Sequence, residues 1–537
     1  MWQALLDVRR GEGDKMANVT DQTIPGTLRG SELSPVDRSG TTSSQLVRNA
    51  RLQYLRGFAA VAVLVYHAAH YVEKVQGGTR LTAIFTDVWG AYGVAVFFVL
   101  SGYLMAQLSL RDDPRRFLLN RVLRIYPLFL IVVAIAIAGY LVTGHGRRPD
   151  LIALTLVPAG PRDYMLGVEW TLLFEMTYYV VIALIVLSGF RSWLDWFFGA
   201  WLVAIVALAL TGTAPPSEGT PVLSKLFGQS ANAAFLLGFL LPRLINRNWV
   251  PSAIVLCVLA APFAVLAYYT TDGALLRWPT AVSALFLVAA ALKAQPVSNP
   301  GIGGRIGLRL GDASYALYLC HMPVIAISGN LVSRTSHDLV LWTAWVASAL
   351  AVALLLGPLD LRLHAVLKRW ADRLSPQLVA RLAYGAIALF FTVAVVCEIG
   401  ERQTQRAADA ARAAYHNNQI ETVPSVIAGL DSTMPLDDGR LVLRGYGIDS
   451  AAPDEDSHVM VEQNGQPIAF DRMRRMRPRI AIEARKPELK SYRFGFSVVT
   501  FGRFNCANGP LSAKLILSDG RVVAIESPTL ETICPAR

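Results

Sequence analysis

Charge is scarce along this chain, and so are the signatures of soluble catalysis. Only 17% of the 537 residues are charged while 53% are hydrophobic, a balance outside the range of soluble globular proteins. No zinc-ligand pair occurs at HExxH or CxxC spacing, no phosphate-cradling GxxxxGK loop is present, and no GxSxG elbow can be read. Metalloprotease, P-loop and α/β-hydrolase chemistries are therefore set aside. Five cysteines are too few for a disulfide framework. Cys257, Cys320 and Cys397 sit in apolar runs and read as small buried hydrophobes, whereas Cys506 and Cys534 lie in a polar tail and can pair in an oxidising compartment. Nothing before Leu52 resembles a cleavable signal peptide. Residues 1–50 are polar, mixed in charge and without periodicity, so a disordered cytoplasmic leader is expected there.

What the chain has instead is long apolar runs. Between Leu52 and about Gly400, about ten to eleven of them approach the length that crosses a hydrocarbon core of roughly 30 Å. Their centres lie near Val61, Leu100, Ala134, Ile182, Val203, Leu237, Val258, Leu287, Leu319, Ala349 and Leu389. Gln229, Ser230 and Asn232 interrupt the run around Leu237, and the one around Leu287 is short. After about Glu401 the pattern changes to a polar helical stretch and then to short alternating segments such as RLVLRGYGI and AKLILSDG, with Asn464-Gly465 and Asp519-Gly520 as turn dipeptides. The expected fold is an all-α polytopic membrane domain followed by a small extracytoplasmic β-sandwich-like domain. Its boundaries fall at residues 51–360 for the membrane domain, 361–400 for a basic segment and a final span, and 401–537 for the tail.

The formal charge of +11 resides mostly in short loops, where it reports topology rather than nucleic-acid binding. Five arginines between Arg111 and Arg124, and five basic residues between Arg362 and Arg381, place those loops in the cytoplasm. Arg147 and Arg148 fall on the outer side and dissent.

Against this background, ionisable residues inside apolar runs stand out, because each is costly in a bilayer unless it faces a protein-lined interior. In the first run, LQYLRGFAAVAVLVYHAAHY, Arg56 and His67 come within roughly 20° of each other on a helix and about 16 Å apart along it. The second run, GVAVFFVLSGYL, carries Ser101 and Gly102, which helix packing alone would also explain. RRFLLNRVLRIYP places Arg121 and Arg124 near one turn apart at a membrane edge, as anchors or as paired guanidinium groups for a phosphate-bearing ligand. VEWTLLFEMTYYV sets Glu175 one turn before Tyr178 and Tyr179; Glu169, at the expected outer interface, calls for no special partner. LGDASYALYLCHMPV aligns Ser314, Tyr318 and His321 in one polar stripe, with Pro323 behind them.

In their order, LRGFAAVAVLVYH, GVAVFFVLSGYL, the arginine pair, WTLLFE and SYALYLCH resemble the membrane-integral acyltransferase 3 family, over roughly Leu52 to Leu356. The resemblance implies an O-acyltransferase that takes an acyl group, most often acetyl, from cytoplasmic acyl-CoA and delivers it to an acceptor on the outer side, a surface glycan for example. It implies acyl-CoA as co-substrate with no tightly bound cofactor or metal, and residence in the bacterial cytoplasmic membrane with the N-terminus inside. Residue by residue it implies His67 and Arg56 as the catalytic pair with Glu175 beside them, and Arg121 and Arg124 at the donor. Trp170, Ser314, Tyr315, Tyr318 and His321 match its remaining motifs, and Ala95 stands where many members carry aspartate. His67 would act as general base on the acceptor hydroxyl or as a transient acyl carrier. Two other readings predict different features: a secondary transporter would show related halves, which are not visible, and a glycan-binding scaffold would bind through its tail alone.

Overall fold

A computed structural model describes residues 49–526, Leu530 and Ile533, except 78, 144–148, 161, 163, 216–219, 271, 296, 298–299, 330–336, 415–419, 436–440, 474, 477–479, 482–483, 487, 490–491 and 501–503. The expected leader, Arg147, Arg148 and Cys534 lie outside the described residues, and with Cys534 the expected Cys506–Cys534 pair.

Helices run in the order α1 (Ala50–Gln76), α2 (Arg80–Ile84), α3 (Asp87–Arg111), α4 (Pro114–Val142), α5 (Trp170–Leu187), α6 (Leu194–Leu210), α7 (Leu223–Leu226), α8 (Asn232–Asn246), α9 (Ala253–Tyr269), α10 (Gly273–Lys293), α11 (Ile302–Gly329), α12 (Asp338–Asp372) and α13 (Pro376–Ala414). Every centre read from the apolar runs falls inside one of them. Among the described residues, nine helices are long and apolar enough to cross a membrane, while α8 and α9 are shorter apolar helices. One expectation is corrected: the run around Leu287 forms a 21-residue helix, and it is the one around Val258 that stays short, at 17 residues. Asp272 explains part of this, because its carboxylate accepts from the amides of Ala274 and Leu275 and starts α10 early. Helix α12 continues unbroken past residue 360, and α13 past residue 400. Cys257 is a second correction: it is exposed on α9 rather than buried.

Two close crossings hold the helical part together. Helices α3 and α8 meet through Gly102 and Gly238, where an added Cβ would stand 2.1 Å from the Phe235 carbonyl oxygen or 2.2 Å from that of Val99. Helices α1 and α11 meet at Gly311, where an added Cβ would lie 2.4 Å from the Gln53 carbonyl oxygen.

The basic loops cluster at one end. There Arg191 donates to the carbonyls of Leu110 and Asp112, Arg243 pairs with Asp195, Arg51 donates to the carbonyl of Gln295, and Arg116 approaches Asp372. At the opposite end Thr220 donates to the Gly160 carbonyl, and Ser224 donates to Glu398 on α13.

Beyond α13 the chain forms two four-stranded antiparallel sheets built from β1 (Val426–Pro435), β2 (Leu441–Asp449), β3 (His458–Gln463), β4 (Gln466–Arg472), β5 (Arg475–Met476), β6 (Arg493–Val499), β7 (Leu511–Ile516) and β8 (Val522–Ala524). Their orders are β1-β2-β6-β5 and β4-β3-β7-β8. Leu443 and Phe496 from one sheet share a core with Val459, Val461 and Leu515 from the other, as in a sandwich. Asn464 and Gly465, at φ 51° and 74°, make the tight turn between β3 and β4.

Candidate active site

The shared face of Arg56 and His67 is turned toward α11, and each residue meets its own partner there. Arg56 is 7% exposed and donates from Nε and Nη2 to Ser314 Oγ, at 3.3 and 3.1 Å, while the Ser314 hydroxyl in turn donates to the Gly311 carbonyl. Farther along, His321 Nε2 lies 3.1 Å from His67 Nδ1. The tautomers follow from the neighbours. His321 Nδ1 is 3.0 Å from the Leu317 carbonyl, and His67 Nδ1 is 3.0 Å from that of Val63, so each Nδ1 carries a hydrogen. His321 Nε2 is then a lone pair that accepts from His67 Nδ1–H. His67 Nε2 keeps its own lone pair, with no protein partner among the described residues.

The two residues face different spaces. Arg56 lines an inner cavity of about 80 Å3, together with Ser101, Arg124, Glu175, Tyr179 and Tyr315. Its charged groups all have hydrogen-bond partners. Arg124 donates from Nη1 to both Asp360 oxygens, at 2.8 and 2.7 Å, and stacks over the Tyr315 ring at 4.9 Å. Glu175 Oε1 accepts from Ser101 Oγ at 3.0 Å and from the Tyr179 hydroxyl. His67 lines an outer cavity of about 430 Å3, at the end remote from the basic loops, which also receives Asp87, Glu169, Trp170 and Arg277. Val94 and Tyr318 border both spaces, and Tyr318 is fixed by a 2.7 Å hydrogen bond with Thr171 at the start of α5.

Not every candidate joins this constellation. Tyr178 turns away from Glu175, donates to Asn232 Oδ1 at 2.8 Å and stacks on Phe235. Gly102 serves the α3–α8 crossing. Arg121 is 2% exposed, lines neither cavity, and leaves Nε and Nη1 without partners. Trp170 does reach the outer cavity, its indole braced edge-to-face by Phe98 and Phe174. Among the described residues, no cluster of His, Cys, Asp and Glu is disposed to hold a metal.

A family model described as an acyltransferase domain matches residues 49–358. The chain belongs to the acyltransferase 3 family. It is an integral membrane acyltransferase that transfers groups other than aminoacyl groups. It is 26% identical to the acyltransferase MdmB of Streptomyces mycarofaciens over 58% of this chain and 88% of that protein. It is 26% identical to Nodulation protein 10 of Rhizobium leguminosarum bv. viciae over 61% and 94%. With the exopolysaccharide production protein ExoZ of Rhizobium meliloti it shares 30% identity over 44% of this chain and 77% of the relative. No solved structure matches the chain.

Around the cavities of this acyltransferase, three residues escaped the sequence reading and a fourth was misjudged. Asp360 interrupts the apolar run LLLGPLDL, a signal as strong as that of Glu175. Arg277 sits in GALLRWPTAV and resembles an interfacial anchor. Thr171 is indistinguishable from any helix threonine. Glu169 is corrected: it is 2% exposed rather than interfacial, accepts from the Leu166 amide through Oε1, and leaves Oε2 without a partner.

Proposed function

We propose that the protein moves an acyl group, most simply acetyl, from cytoplasmic acyl-CoA to a hydroxyl of an extracytoplasmic glycan such as O-antigen, capsule or exopolysaccharide. The observation that carries this reading is the division of labour at Tyr318. An inner space holding Arg56 and Arg124 meets an outer space into which His67 presents a lone pair. Basic loops at the inner end favour that end as cytoplasmic, which supports an outer cavity and β-sheets on the far side. The part of ExoZ in exopolysaccharide production supports a glycan as acceptor.

The chemistry follows from the hydrogen bonds. The acceptor oxygen attacks the thioester carbonyl as His67 Nε2 removes its proton, and the resulting imidazolium is stabilised through Nδ1–H by the Val63 carbonyl and the His321 lone pair. The C–S bond then breaks, the ester remains on the glycan, and His67 returns the proton to the departing thiolate. A route through an acyl-imidazole uses the same Nε2 lone pair. Arg56, held by Ser314, binds the donor beside the carbonyl.

His67→Ala is expected to abolish base-labile esters on the surface polysaccharide, read by NMR, at unchanged protein abundance. Normal acylation in that variant overturns the assignment.

A further inference from the structure

The outer cavity contains a cation that no carboxylate pairs with directly among the described residues. Arg277 lies in the second turn of α10, and its guanidinium stacks over the Trp170 indole at 4.9 Å. Its Nε is buried without a hydrogen-bond partner, and no ion pair or side-chain hydrogen bond reaches it among the described residues. The nearest acid in sequence, Asp272, is occupied in capping α10. Arg124 in the inner cavity, by contrast, is clamped by Asp360 at 2.7 Å. An uncompensated guanidinium within a membrane domain is costly, and stability alone would favour its replacement.

The stack on Trp170 also fixes the plane of the guanidinium. Its remaining N–H edge is therefore preset for two parallel hydrogen bonds to one oxyanion group. The cavity it lines is the one that holds His67, and the two residues come from different helices, α10 and α1.

We infer that Arg277 is a specificity residue that selects an acidic acceptor by receiving a carboxylate or phosphate of the glycan while His67 meets the hydroxyl to be acylated. This rests on the proposed glycan acylation. Asp87 and Glu169 line the same cavity, and their carboxylate oxygens suit the hydroxyls of the same sugar. Glu169 Oε2 has no hydrogen-bond partner among the described residues, so it complements Arg277: one recognises an anion, the other a hydroxyl donor.

The test uses the full-length protein in lipid nanodiscs with radiolabelled acetyl-CoA. The acceptor is the unacylated surface polysaccharide of the deletion strain, offered native and after reduction of its carboxylates to alcohols. Wild type is expected to prefer the native form roughly ten- to hundredfold in kcat/KM, the worth of one charge-assisted pair, and to do so through KM. Arg277→Gln brings that ratio to about one, and Arg277→Lys, which keeps charge but not the planar fork, falls between. If the anion is instead the diphosphate of a lipid-linked glycan, preference follows the lipid-linked form and disappears after mild acid release. A ratio unchanged in Arg277→Gln overturns the inference, as does an equal loss of kcat on both acceptors with KM constant. Failure of wild type to acylate any of these acceptors overturns the glycan reading itself. Melting temperatures of both variants, matched to wild type, separate all of these outcomes from misfolding.

Discussion

The inner and outer cavities treat polar groups in opposite ways. In the inner one Arg56 has Ser314, Arg124 has Asp360, and Glu175 has both Ser101 and Tyr179. In the outer one the His67 Nε2 lone pair and the Arg277 Nε–H have no partners among the described residues, nor does the Glu169 Oε2 on its rim. The narrow space is organised in advance for one fixed ligand, while the wide one leaves its bonds for a ligand to complete. Stability and recognition should therefore separate between them.

The sharpest way to break this contrast is Asp360→Ala. It leaves Arg124 buried and uncompensated, so a loss of about 3–5 kcal/mol is expected, read as a large fall in detergent melting temperature. Replacing both partners, as Arg124→Met with Asp360→Leu, should recover most of that loss while transfer stays impaired. Arg277→Gln, by contrast, should leave stability within about 1 kcal/mol of wild type, since only the stack on Trp170 is lost. Equal destabilisation by Asp360→Ala and Arg277→Gln would remove the distinction between the two cavities.

Next in size is His321. Its lone pair holds the His67 ring from the Nδ1 side without facing the acceptor, so it is a positioning residue. His321→Ala should lower kcat about a hundredfold with little change in KM, the usual consequence of a catalytic group left free to rotate. His321→Gln, whose amide oxygen can accept from His67 Nδ1–H, should regain much of the rate. If alanine and glutamine behave alike, His321 is filling space and the tautomer assignment loses its support.

These residues also mark how far the sequence could be read. The helical period alone places Arg56 and His67 on one face, and the stripe of Ser314 and His321 supplies the partners that the face meets. Such relations lie within one helix, where geometry is fixed by 3.6 residues per turn. The Arg124–Asp360 pair spans 236 residues, and no local pattern joins them. Arg277 and Glu169 acquire meaning only from a cavity assembled by the ends of several helices and their loops. The sequence reading passed over Arg277 and judged Glu169 from its place at a span end, which gave the wrong burial. The same limit applies to α10, whose start depends on a cap at Asp272 that hydropathy does not register.

The smallest expected effect bears on the boundary between the two spaces. Tyr318 borders both, and its hydroxyl is held by Thr171 at 2.7 Å, with the Val168 carbonyl 3.3 Å away as a second acceptor. Thr171→Val keeps the shape and removes one hydrogen bond, so stability should fall by only about 1 kcal/mol. Its functional effect should be directional. A loosened Tyr318 admits water from the outer cavity to the thioester, so hydrolysis of acetyl-CoA without acceptor should rise severalfold while transfer falls by less. Free CoA release, followed with a thiol reagent in the absence of glycan, reads this directly. Hydrolysis that stays at the wild-type level would mean that Tyr318 does not separate the cavities, and that the contrast between matched and unmatched groups arises from packing rather than from a barrier between donor and acceptor.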